Sequence, residues 1–245
     1  MVVLSQRALL LKNMNRYVIL SGYIGGDKGR EDFYRIWVEN LERNPDVKPE
    51  RVFVICSRGQ VPPIERDWIN LIKLTGDLGH ICRDDSQKHQ LEGWAADVMI
   101  GALLAYDNES DLIYIESDCL PFGNFVSQMY KEVGDVGMIF GSNSWMPSAQ
   151  SLFLVRMGFI PQFVHAYLGK KITDRKIGGE QAFNEMESDF TNYTRRLSFG
   201  WDRDRSPDGF APQKGKVCYF QQISPSEIIE LKQLGFIKTA CYISL

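Results

Sequence analysis

The chain has 245 residues, of which 44% are hydrophobic and 24% charged, and a formal charge of −3. That composition suits one α/β domain or two small ones with a sizeable core, and the lack of basic blocks argues against nucleic acid as a partner. No run approaches the ~18 uninterrupted apolar residues of a membrane span. Five cysteines (Cys56, Cys82, Cys119, Cys218, Cys241) are odd in number and unpaired in spacing, and the three histidines are dispersed. This predicts reduced thiols in a cytoplasmic protein and no zinc centre. In Met1 to Asn15 an apolar patch at Ala8 to Leu11 ends at Lys12-Asn13, too soon for a signal-peptide core. The expectation is a disordered lead-in over residues 1–15 and a single domain over 16–245.

Tyr17 to Ser21 (YVILS) reads as a buried first strand, and Gly22, Gly25, Gly26 and Gly29 mark a loop at its end. Arg30 to Arg43 carries Phe33, Ile36, Trp37, Val38 and Leu41 at near-helical spacing and stops at Asn44-Pro45. Arg51 to Cys56 is a second buried strand. Pro62-Pro63 precedes a helix expected over Glu65 to Leu74, and Gly79 to Cys82 is a weak third strand. From Gln90 to Tyr106 a wide apolar stripe recurs at helical period. Leu112 to Ile115 is a strand that runs into Glu116-Ser117-Asp118 before a Pro121-Phe122-Gly123 turn closes it.

Beyond it, Phe125 to Val133 and Pro161 to Leu168 read as helices, and Val136 to Phe140 and Ser151 to Val155 as strands around a polar loop. Lys170 to Gly178 is a basic loop, Glu180 to Met186 a short helix, and Arg195 to Phe199 extended. Val217 to Phe220 is a last strand before a helix over Pro225 to Leu234. Alternating strands and helices up to residue 120 predict a mostly parallel, twisted sheet with helices on both faces. Ligands of such sheets bind outside the carboxyl ends of the strands, where both Glu116-Ser117-Asp118 and the glycine loop lie.

Side chains two apart on an extended chain share a side, so Glu116 and Asp118 can converge on one hard cation, Mg2+ or Mn2+, while a diphosphate supplies further oxygens. The competing reading is a solvated turn. A second cluster, Asp202-Arg203-Asp204-Arg205, is either a self-neutralising loop or a diphosphate cradle in which the Arg203 and Arg205 guanidinium groups bind oxygens bidentately. In the second case Asp202 or Asp204 could complete the metal shell.

A first strand with a glycine loop, a helix packed ahead of an acidic strand end, an acid-X-Asp motif at Glu116 to Asp118, and an acidic helix start downstream together resemble the nucleotide-sugar glycosyltransferases of GT-A type. The resemblance spans about Tyr17 to Leu234, with a nucleotide-sugar half over about 16–125 and an acceptor half over about 126–245. It departs from the usual pattern where Glu116 replaces the first Asp, which makes Asp118 the firmer metal ligand and leaves Glu116 to bind through water or touch the ribose. It also departs in having no His after His165, where many relatives place a metal ligand.

The resemblance implies a donor nucleoside near Ser21, Gly22 and Tyr23, with Tyr23 either stacking on the base or packing in its loop. Asp97 would touch ribose or donor sugar unless it faces solvent, and Trp94 belongs more readily to the core. Glu180, in Gly178-Gly179-Glu180-Gln181, is a helix cap or the base that takes the acceptor proton in an inverting displacement. In a retaining enzyme Glu180 or Gln181 would only hold a sugar. Trp145 and Gln150, in the loop Gly141 to Gln150, either suit a carbohydrate acceptor, because an indole stacks on a pyranose and an amide bonds its hydroxyls, or belong to a plain surface loop. The alternatives are a sugar-nucleotide nucleotidyltransferase, against which the absence of a Pro-Leu-Thr-like tail after the glycine loop counts, and a non-catalytic carbohydrate- or nucleotide-binding relative.

Overall fold

The computed structural model describes residues 16–23, 25–57, 60–75, 93–141, 149–173, 183–186, 194–200 and 209–238. Strand β1 (Tyr17–Tyr23) leads through helix α1 (Lys28–Arg43) to β2 (Arg51–Cys56) and β3 (Ile69–Lys73). Helix α2 (Gly93–Asp107) then returns the chain to β4 (Asp111–Ile115), which is followed by β5 (Cys119–Phe122), α3 (Phe125–Val133), β6 (Met138–Gly141) and β7 (Ala149–Val155). A 3-10 turn (Met157–Phe159), α4 (Ile160–Thr173), β8 (Thr194–Arg196), β9 (Cys218–Gln221) and α5 (Pro225–Gln233) complete the described elements.

Seven strands form one sheet in the order β3-β2-β1-β4-β7-β6-β8, and β5 pairs with β9 in a separate antiparallel ribbon. The pairs β1 with β2, β1 with β4, β2 with β3 and β6 with β8 are parallel; β7 runs antiparallel to β4 and β6. The sheet is thus mostly parallel, as expected. Its strands alternate strictly between two cores. Tyr17, Ile19 and Tyr23 of β1 join Ile113 and Ile115 of β4 beneath α1, α3 and α5, while Val18, Leu20, Leu112 and Tyr114 face α2 and α4. Close approach on that second face needs Gly101 of α2, where a Cβ would lie 2.0 Å from Leu20 Cδ2.

Three expectations are corrected. The segment expected as a helix over Glu65 to Leu74 contains β3, paired parallel to β2. Ile69 and Leu71 pack into one core and Ile72 and Leu74 into the other, so the apolar run is two-sided with a period of two. Pro121 and Phe122, read with Gly123 as a turn, are the last residues of β5; Pro121 is tolerated because a two-stranded ribbon leaves every residue at an edge. Gly22 and Tyr23, placed in a loop, are the last residues of β1. The weak strand expected over Gly79 to Cys82 lies outside the described residues. No helix among the described residues is long and apolar enough to cross a membrane.

Candidate active site at the carboxyl ends of β1 and β4

The chain moves from β1 outward to β2 and β3, then crosses back to place β4 on the other side of β1. The order reverses between β1 and β4, the position at which open α/β sheets hold their ligands. At this point β4 ends and turns at once: the Cys119 N–H donates to the Glu116 carbonyl oxygen at 2.9 Å. Glu116, Ser117 and Asp118 therefore occupy a tight turn and not an extended continuation of the strand. Strand alternation is not what gathers the two carboxylates; the turn does so, and both line one cleft of about 200 Å³. Two neighbours pin the turn. The Glu116 N–H donates to the Ser151 carbonyl of β7 (2.8 Å), and the Gln222 N–H donates to the Asp118 carbonyl (3.2 Å).

Asp97 of α2 lines the same cleft. It faces inward, only 4% exposed, and its Oδ1 has no hydrogen-bond partner among the described residues. Burial raises its carboxyl pKa to about 8, because the charged form has lost its water. Gly22 makes room for it: a Cβ at Gly22 would lie 2.1 Å from Asp97 Oδ2. Tyr114, buried on β4 and also lining the cleft, has its hydroxyl pKa raised first by burial and then by the charges of Glu116, Asp97 and Asp118. Three acids thus converge on one ring, and the positive charge facing the cleft among the described residues is Arg30 of α1.

Of the residues expected near a nucleoside, Gly22 and Tyr23 line the cleft and Ser21 does not. Ser21 is fully buried on the same face of β1 as Ile19 and Tyr23, its Oγ without a partner among the described residues. Tyr23 is 3% exposed and packs edge-on against Tyr34, ring centroids 4.8 Å apart. Trp94 combines core and cleft: it lines the cleft and meets Tyr114 and Phe183 edge-on at 5.9 and 5.5 Å. Gln150 is the second residue of β7, one before Ser151, whose carbonyl accepts from the Glu116 N–H. Trp145, Glu180, Gln181, Arg203 and Arg205, together with Asp202 and Asp204, lie outside the described residues.

No group of three or more His, Cys, Asp or Glu side chains among the described residues could close a metal site. Glu116 and Asp118 alone fit a hard cation that retains waters and takes ligand oxygens, since Mg2+ is commonly held by one or two carboxylates. Sequence reasoning missed three residues that line the cleft, Phe33 and Tyr34 of α1 and Tyr114 of β4, and it missed the pairing of β9 with β5, in register Gln221 with Cys119. Gln222 follows with φ of 50°, a left-handed backbone uncommon outside glycine. The helical spacing 30, 33, 34 was visible in the sequence; the β5–β9 pairing, formed by segments about 100 residues apart, was not.

No protein-family model and no curated protein matches the chain. Solved structures do. A crystal structure of an active-site variant of LgtC superposes with a TM-score of 0.56 over 92% of this chain and 98% of that one, at 10% identity. The galactosyltransferase LgtC in complex with donor and acceptor sugar analogues gives 0.50 over the same shares, at 10% identity. The glycosyltransferase GlyE of Streptococcus pneumoniae gives 0.51 at 11% identity, over 88% of this chain and 56% of that one. The chain has the mixed α/β fold of these GT-A-like proteins.

Proposed function

We propose that the protein is a metal-dependent glycosyltransferase that moves a sugar from a nucleoside diphosphate to a hydroxyl of a glycan or small acceptor. The observation that carries this is the Glu116-to-Asp118 turn, set with Asp97 in a cleft at the switch point between β1 and β4. The likeness to LgtC, a galactosyltransferase crystallised with donor and acceptor sugar analogues, supports it. Asp118 and Glu116 would hold Mg2+ or Mn2+, which when bound stabilises the charge of a leaving diphosphate. Arg203 and Arg205 supply guanidinium forks for the diphosphate oxygens. Gln150 and Trp145 bind the acceptor.

Glu180 takes the proton of the acceptor hydroxyl as its oxygen bonds to the anomeric carbon and the bond to the diphosphate breaks, inverting that carbon. Glu180→Gln is expected to abolish transfer while donor binding persists; unchanged transfer removes Glu180 from the mechanism. The function is tested by incubating nucleotide sugars with Mn2+, with and without glycan acceptors, and following nucleoside diphosphate release. Metal-dependent release supports transfer. Release of pyrophosphate from a nucleoside triphosphate and a sugar phosphate would identify a nucleotidyltransferase, and binding without turnover a non-catalytic relative.

A further inference from the structure

We infer that helix α1 carries the nucleobase subsite, with Phe33 as the stacking platform, Tyr34 as the edge-reading hydroxyl and Arg30 as the neighbouring cation. This rests on the nucleotide-sugar reading above and assigns its base contact to a helix, not to the end of β1. Residues 30, 33 and 34 stand at i, i+3 and i+4, one face of a helix, and all three line the cleft that holds Glu116 and Asp118.

The two rings differ in what they can still do. Tyr34 is 1% exposed, stacked on Trp37 at 5.7 Å and 22° and edge-on to Tyr23, so its ring is locked between neighbours. Its hydroxyl is nevertheless buried and without a partner among the described residues. A buried polar group left unpaired is unfavourable, and the polar edge of a ligand in the cleft would satisfy it. Phe33 is half-buried, packs against the core and lines the cleft, and no aromatic ring pairs with it among the described residues. A ring at a cleft wall without an aromatic partner suits a flat heterocycle, because every base has a π-face and stacking tolerates all of them.

Arg30 lies one helical turn before Phe33, half-exposed, and is held by Asp27 at 3.2 Å. Helix α1 thus brings two rings, a hydroxyl and a cation to one side of the cleft, while its carboxyl groups come from α2 and the β4 turn; Tyr23, Trp94 and Tyr114 add further rings to the lining. A nucleoside diphosphate has the matching asymmetry, a flat base at one end and a diphosphate that needs a cation at the other.

Calorimetric titration of UDP, ADP and GDP, and of inorganic pyrophosphate, each with Mn2+, tests the assignment on the wild type, Phe33→Leu, Phe33→Trp and Tyr34→Phe. Circular dichroism confirms that each variant is folded. Phe33→Leu keeps apolar packing and removes the ring; it is expected to weaken the preferred nucleoside diphosphate about 10-fold or more and leave pyrophosphate unchanged. Phe33→Trp retains wild-type affinity, and Tyr34→Phe narrows the difference among the three bases. Equal affinity of Phe33→Leu and wild type for every nucleoside diphosphate overturns the inference and leaves the transferase reading standing, as does an equal loss of pyrophosphate. Failure of the wild type to bind any of these ligands overturns both.

Discussion

Asp97 is a carboxylic acid buried to 4% exposure at the wall of the cleft, and its protonation is coupled to folding. Its pKa rises from 3.8 to about 8, so the folded chain keeps a proton that the unfolded chain releases. Between those values the native state binds more protons, and stability falls as pH rises from about 4 to about 8, then levels off. Asp97→Asn removes that dependence. Melting temperatures measured in EDTA are expected to show the variant gaining on the wild type from pH 5 to pH 8; a constant difference contradicts the buried-acid account. Gly22 belongs to the same feature. Gly22→Ala drives a methyl group into Asp97 Oδ2 and should destabilise by about 1–3 kcal/mol, the usual range for overpacking. In an Asp97→Ala background the same substitution should cost little, a coupling that a double-mutant cycle in urea measures. Additive effects would show that the two side chains do not collide.

Elements are held in place by contacts distant in sequence. The N-cap of α3, Asn124, makes no side-chain cap bond. Instead the Asp46 carboxylate, from the connection between α1 and β2, accepts from the Val126 and Ser127 N–H groups at 3.2 Å. A carboxylate at a helix N-terminus satisfies free donors and complements the dipole. Asp46→Ala should therefore lower stability by about 1 kcal/mol without changing ligand affinity; a loss of affinity at unchanged stability would contradict a purely structural role. Local patterns revealed most elements. The apolar runs of β1, β2 and β4, the stripes of α1 and α2, and α5 with its Ser224–Glu227 capping box all follow from residues adjacent in the chain. β3 was misread because an edge strand with apolar residues on both faces has the same density of apolar residues as a helix, and β5 because a proline signals a turn unless its partner strand is known.

At the scale of the whole molecule, the two ends of β4 have separate tasks. At its start Asp111 accepts from the Tyr130 hydroxyl (2.9 Å) and the Met157 N–H (2.7 Å), fastening the sheet to α3 and to the approach of α4. At its far end the Glu116-to-Asp118 turn opens to the cleft. The acidic pair and the parallel sheet were legible because both are local signals joined by a general rule about strand ends. The aromatic face of α1 was legible as a helix but not as a wall, since which face of an amphipathic helix meets a cleft depends on the crossover, and the bond from the Gln222 N–H to the Asp118 carbonyl depends on the long-range pairing of β5 with β9. Calorimetric titration of nucleotide sugars in Mn2+ and in EDTA, on the wild type and Asp118→Ala, tests the central claim most directly. The account predicts binding by the wild type in Mn2+ alone and its loss in Asp118→Ala by about 10-fold or more, the equivalent of ~1.4 kcal/mol. Equal binding in EDTA, or by Asp118→Ala, would contradict it.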